Sequence, residues 1–288
     1  MAECADALCE SQVARCDEDD EVTYPRQLTE EEQVALAKDT RVVSDFRRQK
    51  FELEAKKHWD LFYKRNQTKF FKDRHWTSRE FNELAKENDG GTGRRVILEV
   101  GCGVGNFFYP LLEDGLNFFV HACDLSPRAI EFVKEHSLYS PENINAFPCD
   151  VTKEELSAHV AENSVDIATL IFVLSAMELD SMVIALKKIL QVLKPGGLCL
   201  LRDYGLYDHA MLRFAPGHKL EENFYVRQDG TRAYYFSLEK LASLFICAGF
   251  EVVSNEYVYR ETVNRKEGLC VPRIFVQAKF MRPLAVAE

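Results

Sequence analysis

The stretch LEVGCGVGN, residues 98–106, holds the residue types and spacing that most plainly point to chemistry. It closes an apolar run, and Gly101, Gly103 and Gly105 then permit a tight turn and close backbone approach to a ligand. A dinucleotide fingerprint would want glycine or alanine at 106, where Asn106 stands. Glu99, just ahead of the glycines, is awkward beside a pyrophosphate and suits a ligand carrying positive charge. Asp124 follows the next apolar run, at the spacing from which a carboxylate can bind both ribose hydroxyls. Asp150 follows the third run, in reach of an adenine amino group. Each aspartate alone is more often a cap or a turn residue. The glycines and three carboxylates at successive run ends are much harder to obtain by chance. A second stretch, KFFKDRHW at 69–76, crowds Phe70, Phe71 and Trp76 among charged side chains with no amphipathic period.

Strands and turns must position these groups. Strand-like runs lie at 95–100, 118–123, 144–149, 165–173, 198–204, 250–259 and 272–280. Helical patterns separate the first five, at 106–112, 126–136, briefly near 153–159, and at 180–193. Another, 237–248, ends at Gly249. Five β-α units and a final hairpin-like pair predict an α/β fold: a doubly wound sheet with an antiparallel edge strand. Residues 203–236 are too long for an ordinary strand-to-helix loop and read as a functional insertion. Upstream, Thr29 to Glu32 reads as a capping box, 44–62 as one helix, 78–87 as a short helix and 88–93 as a linker. The expected organisation is an acidic disordered tail (1–27), an N-terminal helical lid over substrate and cofactor (28–90), a main domain (91–282) and a short tail (283–288).

A ligand with an ammonium, a sulfonium and no phosphate answers the first motif, and S-adenosylmethionine is such a ligand. The turn with Glu99, Asp124 and Asp150 resembles that of class I S-adenosylmethionine-dependent methyltransferases, which are Rossmann-like. Methylation of an adenine amine typically uses an Asn/Asp-Pro-Pro-aromatic motif after the fourth strand, but this strand runs into Leu-Ile-Phe-Val-Leu-Ser-Ala-Met. Methylation at pyrimidine carbon 5 needs a cysteine, and Cys149 reads as core. What remains is an atom already nucleophilic, which needs position rather than activation. FFKDRHW, LIFVLSA, LLRDYGLYDHAMLRF and NFYVRQDGTRAYYF resemble the tRNA N3-methylcytidine methyltransferases over roughly residues 28–282. The resemblance implies transfer to N3 of the anticodon-loop cytidine at tRNA position 32, with serine tRNAs as substrates and seryl-tRNA synthetase as helper. It also sets Trp59 and Tyr63 against the cofactor, with Gly101, Asp124, Asp150, Val151 and Ile171.

Cytidine N3 carries a lone pair and no proton, so no general base is needed there. Methylation leaves a cation over N3 and the exocyclic amine, which a carboxylate accepting from that amine would stabilise. Asp203 is the first candidate and Asp73 the second; pairing with Arg202 or capping a turn explains Asp203 equally well. The reacting edge is the pairing edge, so the base must be splayed out and stacked. Phe71, His75, Trp76 and Tyr204 are expected to hold it, with Arg74, Arg227 and Arg232 on phosphate or on those aspartates. Phe70 reads as packing.

The net charge of −10 is unevenly spread: residues 1–32 hold eleven acids and two arginines, while 41–95 hold fifteen Lys/Arg and nine acids. The basic stretch can meet phosphate or form a solvated helical face. Nine cysteines without a CxxC pair predict free thiols in a reducing cytosol or nucleus, and no metal site. The longest apolar run, Ile167 to Met177, is too short for a bilayer, and no signal peptide is visible. Two other readings stay open. A small-molecule methyltransferase would share the cofactor site without needing the basic stretch, and a silent RNA-binding scaffold would tolerate loss of Glu99, Gly101, Asp124 or Asp150.

Overall fold

The computed structural model describes residues 25–85, 94–264 and 269–284. Its first five strands are β1 (Arg95–Val100), β2 (Phe118–Asp124), β3 (Ile144–Pro148), β4 (Val165–Ile171) and β5 (Leu193–Tyr204). Three short strands follow, β6 (Lys219–Glu221), β7 (Phe224–Val226) and β8 (Arg232–Tyr234), then the hairpin β9 (Glu251–Asn264) and β10 (Leu269–Met281). The main sheet runs β3-β2-β1-β4-β5-β10-β9. Strands β1 to β5 pair in parallel, and β10 is antiparallel to both β5 and β9. The near-continuous apolar runs of β1 and β4 suit parallel strands covered on both faces. This is the doubly wound sheet with an antiparallel edge that the periodicity predicts.

The helices are α1 (Glu30–Lys38), α2 (Asp45–Leu53), α3 (Ala55–Asn66), α4 (Thr77–Glu80), α5 (Asn82–Ala85), α6 (Phe108–Glu113), α7 (Pro127–Glu135), α8 (Leu179–Val192), α9 (His209–Leu212) and α10 (Leu238–Ala248). Thr29 and Glu32 form the reciprocal capping box at α1. Three expectations change. The helix read over 44–62 breaks at Glu54 into α2 and α3, and the one over 78–87 is, in its described residues 78–85, two single turns, α4 and α5. The segment near 153–159 closes only one 3₁₀ turn, Leu156–Ala158. The expected linker and most of the acidic tail lie outside the described residues.

The insertion is folded. It forms α9 and a small antiparallel sheet, β6-β7-β8, whose Met211, Tyr225 and Tyr235 pack with Leu36 of α1 and Phe214. Charges tie it to the N-terminal helices. Arg48 on α2 donates to Glu178 (2.8 Å) and Glu221 (2.9 Å), and Arg232 on β8 pairs with Glu52 of α2 and with Glu178 (3.3 Å). The turn before β8 lets the chain close in: a Cβ on Gly230 (φ +85°) would stand 2.8 Å from the ring of His58 on α3. Helix α3 meanwhile packs Phe62 and Tyr63 onto Val104 of the glycine turn and Ala129 of α7.

Candidate active site

A cavity of about 1030 Å³ opens at the carboxyl ends of β1 to β5, roofed by α3 and the insertion. In a doubly wound sheet this is where ligands bind. One end of it is built from the first three strands. Glu99 is 4 % exposed, and its Oε2 has no hydrogen-bond partner among the described residues. Burial pushes its carboxyl well above the usual range; the nearby Asp124 pushes the same way, and Arg74 opposes it. A buried carboxylate oxygen without a partner, facing a cavity, is a site for a cation or a proton. Asp124 accepts the Gly103 N–H at 2.9 Å and the Ser126 N–H at 2.8 Å, yet burial still raises its carboxyl to about 6. Each oxygen keeps a second lone pair to offer a hydroxyl. Burial also raises the Asp150 carboxyl, but the Thr152 hydroxyl (2.5 Å) and the Lys153 ammonium (3.1 Å) outweigh it, and Asp150 falls below its ordinary value. Cys149, at the same end, is pushed up to about 11 by burial and stays a neutral core thiol.

Gly101 and Gly103 carry left-handed backbones, φ +67° and +55°. A Cβ at 103 would lie 2.8 Å from the Tyr63 hydroxyl, so α3 can close on the turn only over glycine. A Cβ at 101 would lie 2.5 Å from Val173 Cγ2, and here glycine admits the loop after β4. Trp59, Tyr63, Val151 and Ile171 line the cavity beside these groups. The residues present therefore fit S-adenosylmethionine: a buried, unpartnered carboxylate oxygen that can meet a cation, and two further carboxylates beside the glycine turn that can accept from hydroxyl or amine groups.

The other end lies over β4 and β5 and is aromatic. Phe172, Tyr204 and Phe214 line it, with Phe172 and Tyr204 at 5.1 Å between ring centroids, while Phe71 lines the cavity beside α3, packed against Phe62 and Phe70. Arg74 is 8 % exposed; its Nη1 donates to the Ile171 carbonyl at 3.2 Å, and its guanidinium lies 5.2 Å over the Phe172 ring. Arg227 donates to the Arg232 carbonyl at 3.0 Å and lies 5.5 Å over the Tyr204 ring.

Five expected substrate residues are placed otherwise. Asp203 is fully buried behind the wall and does not line the cavity; its Oδ2 accepts the Ser175 N–H and its Oδ1 the Tyr204 N–H, each at 2.9 Å. Asp73 is exposed and accepts from Asn106 at 2.9 Å, and His75 is exposed; neither lines the cavity. Trp76 packs on the core with the Arg202 guanidinium 4.3 Å over its ring. Arg232 does line the cavity, but its charge is held by Glu52 and Glu178. Phe70 packs edge-on against Phe62.

The main omission from the sequence reading is Phe172. It sits inside the LIFVLSA motif, but nothing local marks its backbone, which turns left-handed at φ +60° and ends β4 two residues earlier than expected. Arg213, Phe214 and His218 of the insertion also line the cavity without having been singled out.

Comparisons with known proteins agree with this geometry. Residues 63–255 match a family described as a methyltransferase domain. The chain is 59% identical over 258 residues to the human tRNA N(3)-cytidine methyltransferase METTL6, spanning 90% of this chain and 91% of that one. It is 40% identical over 271 residues to the Xenopus tropicalis tRNA N(3)-cytidine methyltransferase METTL2, spanning 82% and 80%. Among solved structures, a SAM-dependent methyltransferase from Anabaena variabilis superposes with a TM-score of 0.57 at 13% identity, covering 79% of this chain and 95% of that one. At such identity the likeness speaks for the fold alone.

Proposed function

The chain belongs to the tRNA N(3)-cytidine methyltransferases, and on that premise we propose that it transfers a methyl group from S-adenosylmethionine to N3 of a cytidine in tRNA. The observation that supports it most is a single cavity joining a carboxylate-lined end to an aromatic end. When bound, S-adenosylmethionine supplies a methyl group on a sulfonium, ready for a nucleophile. The protein's own residues hold and align. Glu99 meets positive charge, Asp124 and Asp150 take the adenosine, and Tyr63 and Trp59 close the roof. Phe172, Tyr204 and Phe214 give an aromatic chamber for a flipped base. No side chain has to remove a proton, because N3 of cytidine carries none.

The finer reading rests on resemblance: the cytidine at position 32 of the anticodon loop, in serine tRNAs, with seryl-tRNA synthetase presenting the tRNA, in cytosol and nucleus. The test is methyl transfer by purified protein to serine-tRNA transcripts, with and without the synthetase, followed by nucleoside mass spectrometry and site mapping. N3-methylcytidine at that position is expected, at a higher rate with the synthetase. Methylation of another atom or nucleoside would refute the reaction, and a rate indifferent to the synthetase would refute the partner.

A further inference from the structure

Phe172 is an aromatic residue in a conformation that side chains with a Cβ adopt at a cost, φ +60°. Such strain persists only where the surroundings over-determine it. Here they do, from four directions. The Phe172 N–H donates to the Arg202 carbonyl of β5 at 2.7 Å. Ser175, three residues on, donates its N–H to the buried Asp203 at 2.9 Å. Val173 sits where a Cβ on Gly101 would stand. On the strand side, Arg74 grips the Ile171 carbonyl. Straightening the chain would continue β4 and carry the ring away from the cavity it now lines.

Sheet order says which reactant that ring faces. The adenosine carboxylates sit at the end of β2 and just past β3, Glu99 and the glycine turn at the end of β1, Phe172 just past β4 and Tyr204 at the end of β5. The acceptor base therefore lies on the β4–β5 side. Asp203 on that side is turned into the protein and holds the backbone of both Ser175 and Tyr204, while Glu52 and Glu178, which line the cavity, are paired with Arg232 and Arg48, and Asp229 with Thr231 and Arg65. Yet the methylated cytosine is a cation, and a cation is attracted to the face of an aromatic ring.

Resting on the methyl-transfer reading above, we infer that Phe172 is the platform on which the target pyrimidine stacks, and that its π face stabilises the charge developing on the base. Asp203 is then a positioning residue that keeps the platform and Tyr204 in place.

Single-turnover methyl transfer to an anticodon stem-loop at saturating cofactor tests this, with S-adenosylmethionine affinity and melting temperature measured alongside. Phe172→Leu should slow the step on the order of ten- to a hundredfold, the value of one base–aromatic contact. Replacing Phe172 by mono-, di- and trifluorophenylalanine keeps the shape while draining the π face. The rate should fall stepwise, about tenfold by the third fluorine, with cofactor affinity and melting temperature unchanged. A rate that ignores fluorination would overturn the charge role, and a Phe172→Leu protein as fast as wild type would overturn the platform. Wild-type protein that makes no N3-methylcytidine would instead sink the reading beneath both.

Discussion

At the scale of single residues, the site works through groups held away from their ordinary protonation. Burial raises Glu99 well above the carboxylate range, so in the free protein it holds its proton to an unusually high pH. A cationic ligand favours the ionised form, so binding releases that proton. Affinity for S-adenosylmethionine should therefore rise with pH for as long as free Glu99 keeps its proton and the ligand's own amine, with a pKa of about 8, stays charged. Calorimetry in two buffers of different ionisation enthalpy reads the proton directly. Glu99→Gln should weaken binding about ten- to a hundredfold and flatten the pH dependence. A slope that survives in Glu99→Gln would assign the proton to another group. The sequence located this carboxylate by its place before the glycines. It left Asp203 open between the base and a turn cap, because the two N–H groups that occupy that side chain belong to the fold: Ser175 lies on another loop, and Tyr204 turns its N–H back only in this geometry.

At the scale of elements, the cavity depends on how α2 and α3 meet the insertion. Arg232 is 5 % exposed and bridges Glu52 of α2, Glu178 before α8 and the Ala176 carbonyl at 3.1 Å. Removing one member of such a buried set leaves its partners uncompensated, which costs about 3–5 kcal/mol. Arg232→Met should therefore lower the unfolding free energy by that order in denaturant titrations. A phosphate-binding arginine would behave differently, with unchanged stability, weaker tRNA binding and a shallower salt dependence. That second outcome would return Arg232 to the role its sequence context first implied. The same junction explains Gly230, where a methyl group would meet the His58 ring.

At the scale of the whole molecule, charge is the lever. Residues 1–24 hold eight acids against Arg15, while the N-terminal helices that roof the site belong to the basic stretch 41–95. A polyanionic substrate should be repelled by the former and attracted by the latter. Deleting residues 1–24 keeps the Arg26–Glu32 ion pair. It should leave catalysis intact and tRNA binding equal or tighter in low-salt filter binding. Looser binding by the truncated chain would show that the acidic segment contributes contacts of its own.

The sequence alone determined the sheet, the glycine turn and the three carboxylates at the ends of β1, β2 and β3. Each is a local matter: continuous apolar runs make buried parallel strands, and glycine takes such left-handed backbones without steric cost. Tertiary structure decided what stands on the acceptor side. Trp76, Asp203 and Arg232 have the chemistry of base and phosphate contacts, but partners distant in sequence claim them: Arg202, Ser175, Glu52 and Glu178. Phe172 looks like the next residue of a strand, and becomes a wall of the cavity because Val173 packs on a glycine in β1's turn and β5 takes its N–H. A side chain's type is written in the chain; whether its charge or ring is left for a ligand depends on which neighbours folding brings to it.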